Sequence, residues 1–195
     1  LLASGLNNFK LASMDLNNYQ LHKWFASIST PLNIYISTGM STSEEVDACL
    51  NIYKDTSHSV SLLACTSSYP SPDSSLNLSS ISHFISKYPD IKVGYSDHSV
   101  GTNASFVSIS KGATVIELHF TDDTRIPGPD QLISKNVDDF NAISEFHDFY
   151  LSANGWDHKA IHPAEYFTWK TQRKSLYALQ DIAAGDEITY SNTSL

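Results

Sequence analysis

His119 is the residue of this sequence best suited to hold a metal. It lies beyond the apolar run Thr114–Val115–Ile116, with Glu117 two residues before it and Asp122 and Asp123 soon after. A strand covered on both faces rejects such charge, so this one must end at water or at a reaction site. Pro127 and Pro129 stiffen the loop that follows, and stiffness would place Asp130 and Gln131 over His119. Gln131 offers an amide oxygen, a weaker ligand than imidazole for a transition metal. A hydrogen-bonded structural histidine accounts for His119 on the same residues.

A second set of residues suits an anion. Lys10 is a compact ammonium beside an apolar run, and Ser37–Thr38–Gly39 opens a helical stretch, where backbone N–H groups favour negative charge. Ser13 and Ser67 would add hydroxyl donors. A solvated lysine and an ordinary helix cap explain Lys10, Ser37 and Thr38 as well. Asp97 and His98 follow another apolar run and can either orient a site or support loops. Asp15 and Tyr69 are further polar groups close to these positions.

The elements that must position them recur with a strict rhythm. The apolar runs Phe9–Ser13, Asn33–Ser37, Val60–Cys65, Ile91–Tyr95 and Thr114–Phe120 predict five strands. Helical periodicity follows each, over 18–29, 41–54, 78–87, 103–111 and 137–153. Ser41 or Thr42, with acids three residues on, is an N-cap signature. The spacing, roughly 25–30 residues per unit, implies parallel strands with crossover helices. A (β/α) barrel or a doubly wound sheet fits that rhythm. Polar residues at the end of all five strands favour the barrel, whose reaction sites lie at the C-terminal ends of many strands. The expected class is therefore α/β, a partial TIM barrel. A complete barrel has eight strands and about 250 residues, so three strands are expected upstream. The barrel part covers 1–155. Residues 156–170, in a stretch that leads into AIHPAEYFTWKTQ from Ala160, read as a linker, and 171–195 as the start of a small β-rich domain around a turn at Ala184–Gly185–Asp186.

Composition narrows the partners. A net charge of −9 argues against non-specific binding to nucleic acid or an anionic membrane, but a few local cations still suffice for an anionic substrate. Two cysteines, Cys49 and Cys65, read as buried free thiols in a reducing compartment, hence a cytoplasmic protein. No stretch reads as a transmembrane span or a signal peptide.

In order along the chain, FKLAS, YISTGMST, LLACTSSYPSP, KVGYSDHSVG, GATVIELHFTDD, IPGPD and RKSLYALQDIAAGDEIT resemble the motifs of the sialic acid synthase family. The resemblance implies strands four to eight of the family's barrel, followed by the opening of its antifreeze-like (SAF) domain. It implies condensation of phosphoenolpyruvate with an N-acylated amino sugar, giving a nonulosonic acid and phosphate. It also implies a divalent metal, Mn²⁺ or Mg²⁺, held by His119 and weakly by Gln131, which stands where sialic acid synthases carry a histidine. Lys10, Ser13, Asp15, Ser37, Thr38, Ser67, Tyr69, Asp97 and His98 become substrate-site residues, with Lys10, Asp15 and His119 catalytic. Arg173 matches an arginine that reaches a partner subunit, which implies a domain-swapped homodimer. Met14, Asp15, Ala64 and Gln131 depart from the pattern. The alternatives are another phosphoenolpyruvate-dependent aldol-type synthase and a non-catalytic sugar-binding relative. The 195-residue chain alone is expected to be inactive, because an open barrel exposes unpaired strand edges.

Overall fold

The computed structural model describes residues 4–194. The chain divides into two units, Leu1–Asn154 and Gly155–Leu195.

The first unit alternates strand and helix: β1 (Asn8–Leu11), α1 (Tyr19–Ala26), β2 (Asn33–Ser37), α2 (Ser43–Tyr53), β3 (Ser59–Cys65), α3 (Ser79–Lys87), β4 (Lys92–Asp97), α4 (Asn103–Ser110), β5 (Ile116–Leu118) and α5 (Val137–Ala153). The strands form one sheet in the order β1-β2-β3-β4-β5, and every pair is parallel. A doubly wound sheet would reverse its strand order at a switch point. Here the order never reverses, so each crossover steps the same way, as in a barrel wall.

Local chemistry starts three of these helices, α2 among them at the capping signature read from the sequence. Asn18 accepts from the Leu21 N–H at the start of α1. Thr42 and Glu45 form a reciprocal capping box on α2, and Asn136 and Asp139 do the same on α5. Central strands carry apolar residues in series (Ile34 and Ile36 on β2, Leu62 and Leu63 on β3), all essentially buried because the layer is covered on both faces.

Three expectations need correction. β1 stops at Leu11, and Ser13–Asp15 is a 3-10 turn rather than strand. β5 is only Ile116–Leu118; beyond it the chain survives as a single parallel bridge, Phe120 to Lys135. In the second unit, the stretch read as linker holds a 3-10 turn (Pro163–Glu165) and a helix, α6 (Tyr166–Gln172). None of its residues is buried, so no apolar stripe announced it. After α6, β6 (Tyr177–Ala178) and β7 (Thr193–Ser194) pair antiparallel. The turn between them lies where the sequence put it, with Gly185 at φ +100°, a conformation that glycine adopts without strain. No helix among the described residues is long and apolar enough to cross a membrane.

Candidate active site

A single ion pair reveals the shape of the sheet. Neighbouring strands are ~4.8 Å apart, so a flat sheet would separate β1 and β5 by about 19 Å. Yet Lys10 Nζ on β1 lies 3.3 Å from Glu117 Oε1 on β5. The other oxygen of Glu117 accepts from Ser37 Oγ, at the end of β2, at 3.3 Å. The sheet is therefore curled into a half-barrel, and side chains of its first and last strands meet over the concave side. Glu117 was flagged by its charge but not assigned to the site. Alternation along a strand puts residues 117 and 119 on one face, and that was the signal available for it.

Beside this triad lies a cradle of hydroxyls. Ser13 Oγ accepts from the Gly39 N–H at 3.0 Å and is 3.6 Å from Cys65 Sγ. A Cβ on Gly39 would overlap Ser67 Oγ and lie 2.8 Å from Ser13 Oγ, so only glycine lets the three segments approach. Ser67 Oγ is buried without a partner. A buried hydroxyl with nothing to bond is costly, and a bound anion would satisfy it. Thr38 does not join the cradle: its hydroxyl donates to Leu63 O at 3.1 Å and its N–H to the same carbonyl at 3.0 Å, pinning the turn to β3.

The far wall is aromatic. The His98 and His119 rings are 5.4 Å apart, and Tyr69 stands 4.1 Å from His98 and 6.2 Å from His119. His98 Nδ1 lies 3.0 Å from Thr66 O, which accepts its proton and leaves Nε2 as the free lone pair. Cys65 Sγ is 3.8 Å from the same Nδ1. Burial pushes the Cys65 thiol up, but hydrogen bonds from His98 and Ser13 and the charge of His98 outweigh it, with help from Ser96, and hold the thiol below its ordinary value. Burial pulls His98 down, and the bonds to Cys65 and Thr66 more than reverse that.

The other predicted residues make contacts of their own. The Gln131 amide donates to Thr121 Oγ1 at 3.0 Å and to the Asp123 carbonyl. It braces the loop, and the imidazole that faces His119 is His98. Asp130, on that loop, does approach His119, Oδ2 to Nδ1 at 3.7 Å. Asp97 is fully buried, accepting from Ser99 N at 2.8 Å and Ser105 Oγ at 2.7 Å; it builds the turn after β4 and touches no open space. Asp15 accepts from Asn18 at 3.5 Å, and its carbonyl receives His22 at 3.0 Å. Arg173 ends α6 in the second unit, beside a surface cleft lined by Lys159, Glu165 and Trp169.

Among the described residues no group of three His, Cys, Asp or Glu side chains is arranged to hold a metal ion. The donor set that fits one is smaller: the imidazoles of His98 and His119, with positions left for water or substrate oxygen.

Comparison with known proteins points in one direction. The NeuB family model matches residues 1–159. An uncharacterized protein of Methanocaldococcus jannaschii is 34% identical over 187 residues, which are 95% of this chain and 55% of the relative. The N,N'-diacetyllegionaminic acid synthase of Campylobacter jejuni is 31% identical over 191 residues, 96% of this chain and 56% of that enzyme. The crystal structure of an N-acetylneuraminic acid (sialic acid) synthetase from Leptospira borgpetersenii, in complex with citrate, superposes with a TM-score of 0.77 at 28% identity, covering 88% of this chain and 60% of that one. The chain thus spans about half the length of the curated relatives it matches.

Proposed function

Because the chain belongs to the NeuB family, we propose that the full-length protein joins C3 of phosphoenolpyruvate to the aldehyde carbon of an open-chain N-acylated amino sugar, releasing phosphate. The observation that carries this reading is the convergence of Lys10, Glu117 and Ser37 from three strands beside the unpartnered Ser67 hydroxyl.

Lys10, Ser13 and Ser67 hold the anionic donor, with the Gly39 turn before α2 supplying backbone polarity. Their fixed placement matters because the donor carries several charges that would otherwise stay hydrated. Electrons flow from the C2–C3 double bond to the aldehyde carbon, and the aldehyde oxygen takes up a proton. Water then adds at C2. Glu117, held between Lys10 and Ser37, receives the first proton that the water loses, which balances the one taken up by the aldehyde oxygen. The C2–O bond to phosphate breaks as the remaining hydroxyl proton passes to the departing phosphate, leaving C2 as the keto carbon. His98 and His119 would hold Mn²⁺ or Mg²⁺, which supplies Lewis-acid polarisation of the aldehyde oxygen when bound. Asp15 and Tyr69 face the sugar. The second unit is the start of an antiparallel SAF-like domain whose Arg173 contributes to a partner's pocket in a domain-swapped homodimer. The protein works in the cytoplasm.

The test is a coupled phosphate-release assay on full-length protein with phosphoenolpyruvate, either metal and a panel of N-acyl amino sugars. Release with at least one acceptor is expected. A folded protein that releases none with any of them is not a synthase of this kind.

A further inference from the structure

Lys135 is the only buried lysine among the described residues, at 1% exposure. An ammonium this deep loses its hydration and needs more than packing to explain it. Its backbone lies along the end of β5: the Lys135 N–H donates to His119 O at 2.8 Å, and its carbonyl accepts from Thr121 N at 2.9 Å. These bonds hold the extension that carries His119, which β5 itself no longer reaches.

The side chain runs to the other histidine. Nζ donates to Ser99 O at 2.7 Å and to Ile133 O at 2.9 Å. Ser99 follows His98 directly, and its N–H is held by the Asp97 carboxylate at 2.8 Å. The two peptide units flanking Ser99, the residue that follows His98, are thus gripped by a buried anion on one side and a buried cation on the other. One residue, through backbone and side chain, ties the segment of His119 to the segment of His98.

We infer that Lys135 is a positioning residue, which fixes the spacing of the His98 and His119 imidazoles for one divalent cation. The inference rests on the reading that these two rings hold the metal. A lysine that merely stabilised the loop would be tied to one segment; this one is tied to both, and the anions that act on its charge are Asp97 and Asp139.

The experiment is a Mn²⁺ titration of full-length protein, with free Mn²⁺ followed by electron paramagnetic resonance, alongside calorimetry of phosphoenolpyruvate binding without metal. Lys135→Met keeps the buried stem and removes the ammonium. It should weaken Mn²⁺ binding about 10- to 100-fold, the usual range for a group that orients a ligand, and leave phosphoenolpyruvate binding unchanged. A folded Lys135→Met with unchanged Mn²⁺ affinity overturns the inference. So does parallel loss of both affinities, which would mean general loosening. If Lys135→Met fails to fold, Lys135→Met/Asp97→Asn removes both buried charges together and is judged by the same two affinities. If neither folds, Lys135 is a determinant of the fold and the inference is overturned. His98→Ala separates the two readings: unchanged Mn²⁺ binding there defeats the metal assignment itself, whereas weakened binding there with none in Lys135→Met defeats only the role of Lys135.

Discussion

Two histidine–cysteine pairs occur in the first unit, and they have opposite characters. Beneath α1 and α2, Cys49 Sγ lies 3.5–3.6 Å from the ring nitrogens of His22. On the concave side, Cys65 Sγ lies 3.8 Å from His98. Burial is the largest influence on all four groups. In the first pair burial wins: Cys49 is pushed up to about 12 and His22 is pulled down. In the second it loses, chiefly because Cys65 and His98 hydrogen-bond each other across two strand ends, with the Thr66 carbonyl, Ser13 and Ser96 adding to the effect. Residue type does not make a site. Polar neighbours delivered by several strands to one place make it, and a half-barrel delivers them only on its concave side.

The largest test of this contrast compares turnover. His98→Ala in the full-length protein should lower phosphate release by about 10³-fold, the scale for losing a preorganised polar group at a reacting centre. Its melting temperature should change little, since His98 anchors one carbonyl. His22→Ala should leave turnover intact at temperatures where it is folded. Equal losses in the two variants would erase the distinction between core and site.

Thiol chemistry gives the next largest difference. Cys49 is fully buried, while Cys65 is partly exposed and surrounded by donors. With metal chelated, iodoacetamide should modify Cys65 about 100-fold faster than Cys49, as expected for a donor-stabilised, accessible thiol against an inert buried one. Peptide mass spectrometry reads both rates, and phosphoenolpyruvate should protect Cys65 alone. Comparable rates would show that the two environments do not differ in solution.

How much of this was legible beforehand depends on the range of each interaction. The strand rhythm could be read because Ile34, Ile36, Leu62 and Leu63 are apolar in series, and the helix starts because capping is local. The shortness of β5 could not, since the chain past Leu118 is held by Lys135, a partner reached only through the loop. The identity of the facing imidazole was hidden for the same reason. His98 and His119 lie just past the ends of different strands, and the family resemblance with the stiff loop favoured Gln131, whose amide nitrogen is bound to Thr121 and Asp123. Helix α6 left no trace because it buries no face.

Stability should reverse the ranking of the two pairs. His22 bridges Tyr53 OH at 2.8 Å and Asp15 O at 3.0 Å inside the helix layer. Removing the ring leaves a cavity and a buried phenol hydroxyl without that partner. His22→Ala should therefore cost about 2–3 kcal/mol in a urea melt, and His98→Ala clearly less. If His98→Ala proves the more destabilising, the concave side carries structural weight that its hydrogen bonds do not suggest.

The smallest effect sharpens the comparison most, because the two histidines should differ in sign. His22 has its folded pKa below its ordinary 6.5. Above pH 6.5 the ring is neutral in both states and linkage contributes nothing. Below 6.5 the unfolded chain takes up a proton that the folded one refuses, so stability falls with pH until the folded value is passed. His98 has its folded pKa raised. Its contribution is fully present below 6.5 and is lost as pH rises through the folded value. The slope from either ring is bounded at about 1.4 kcal/mol per pH unit. Unfolding free energies measured from pH 5 to 8 in chelator, for the parent, His22→Ala and His98→Ala, isolate each ring by difference. The parent minus His22→Ala should fall toward acid, and the parent minus His98→Ala should fall toward base. Two difference curves sloping the same way would mean that the polar neighbours of His98 do not outweigh its burial, and the contrast between the two pairs would then be one of exposure alone.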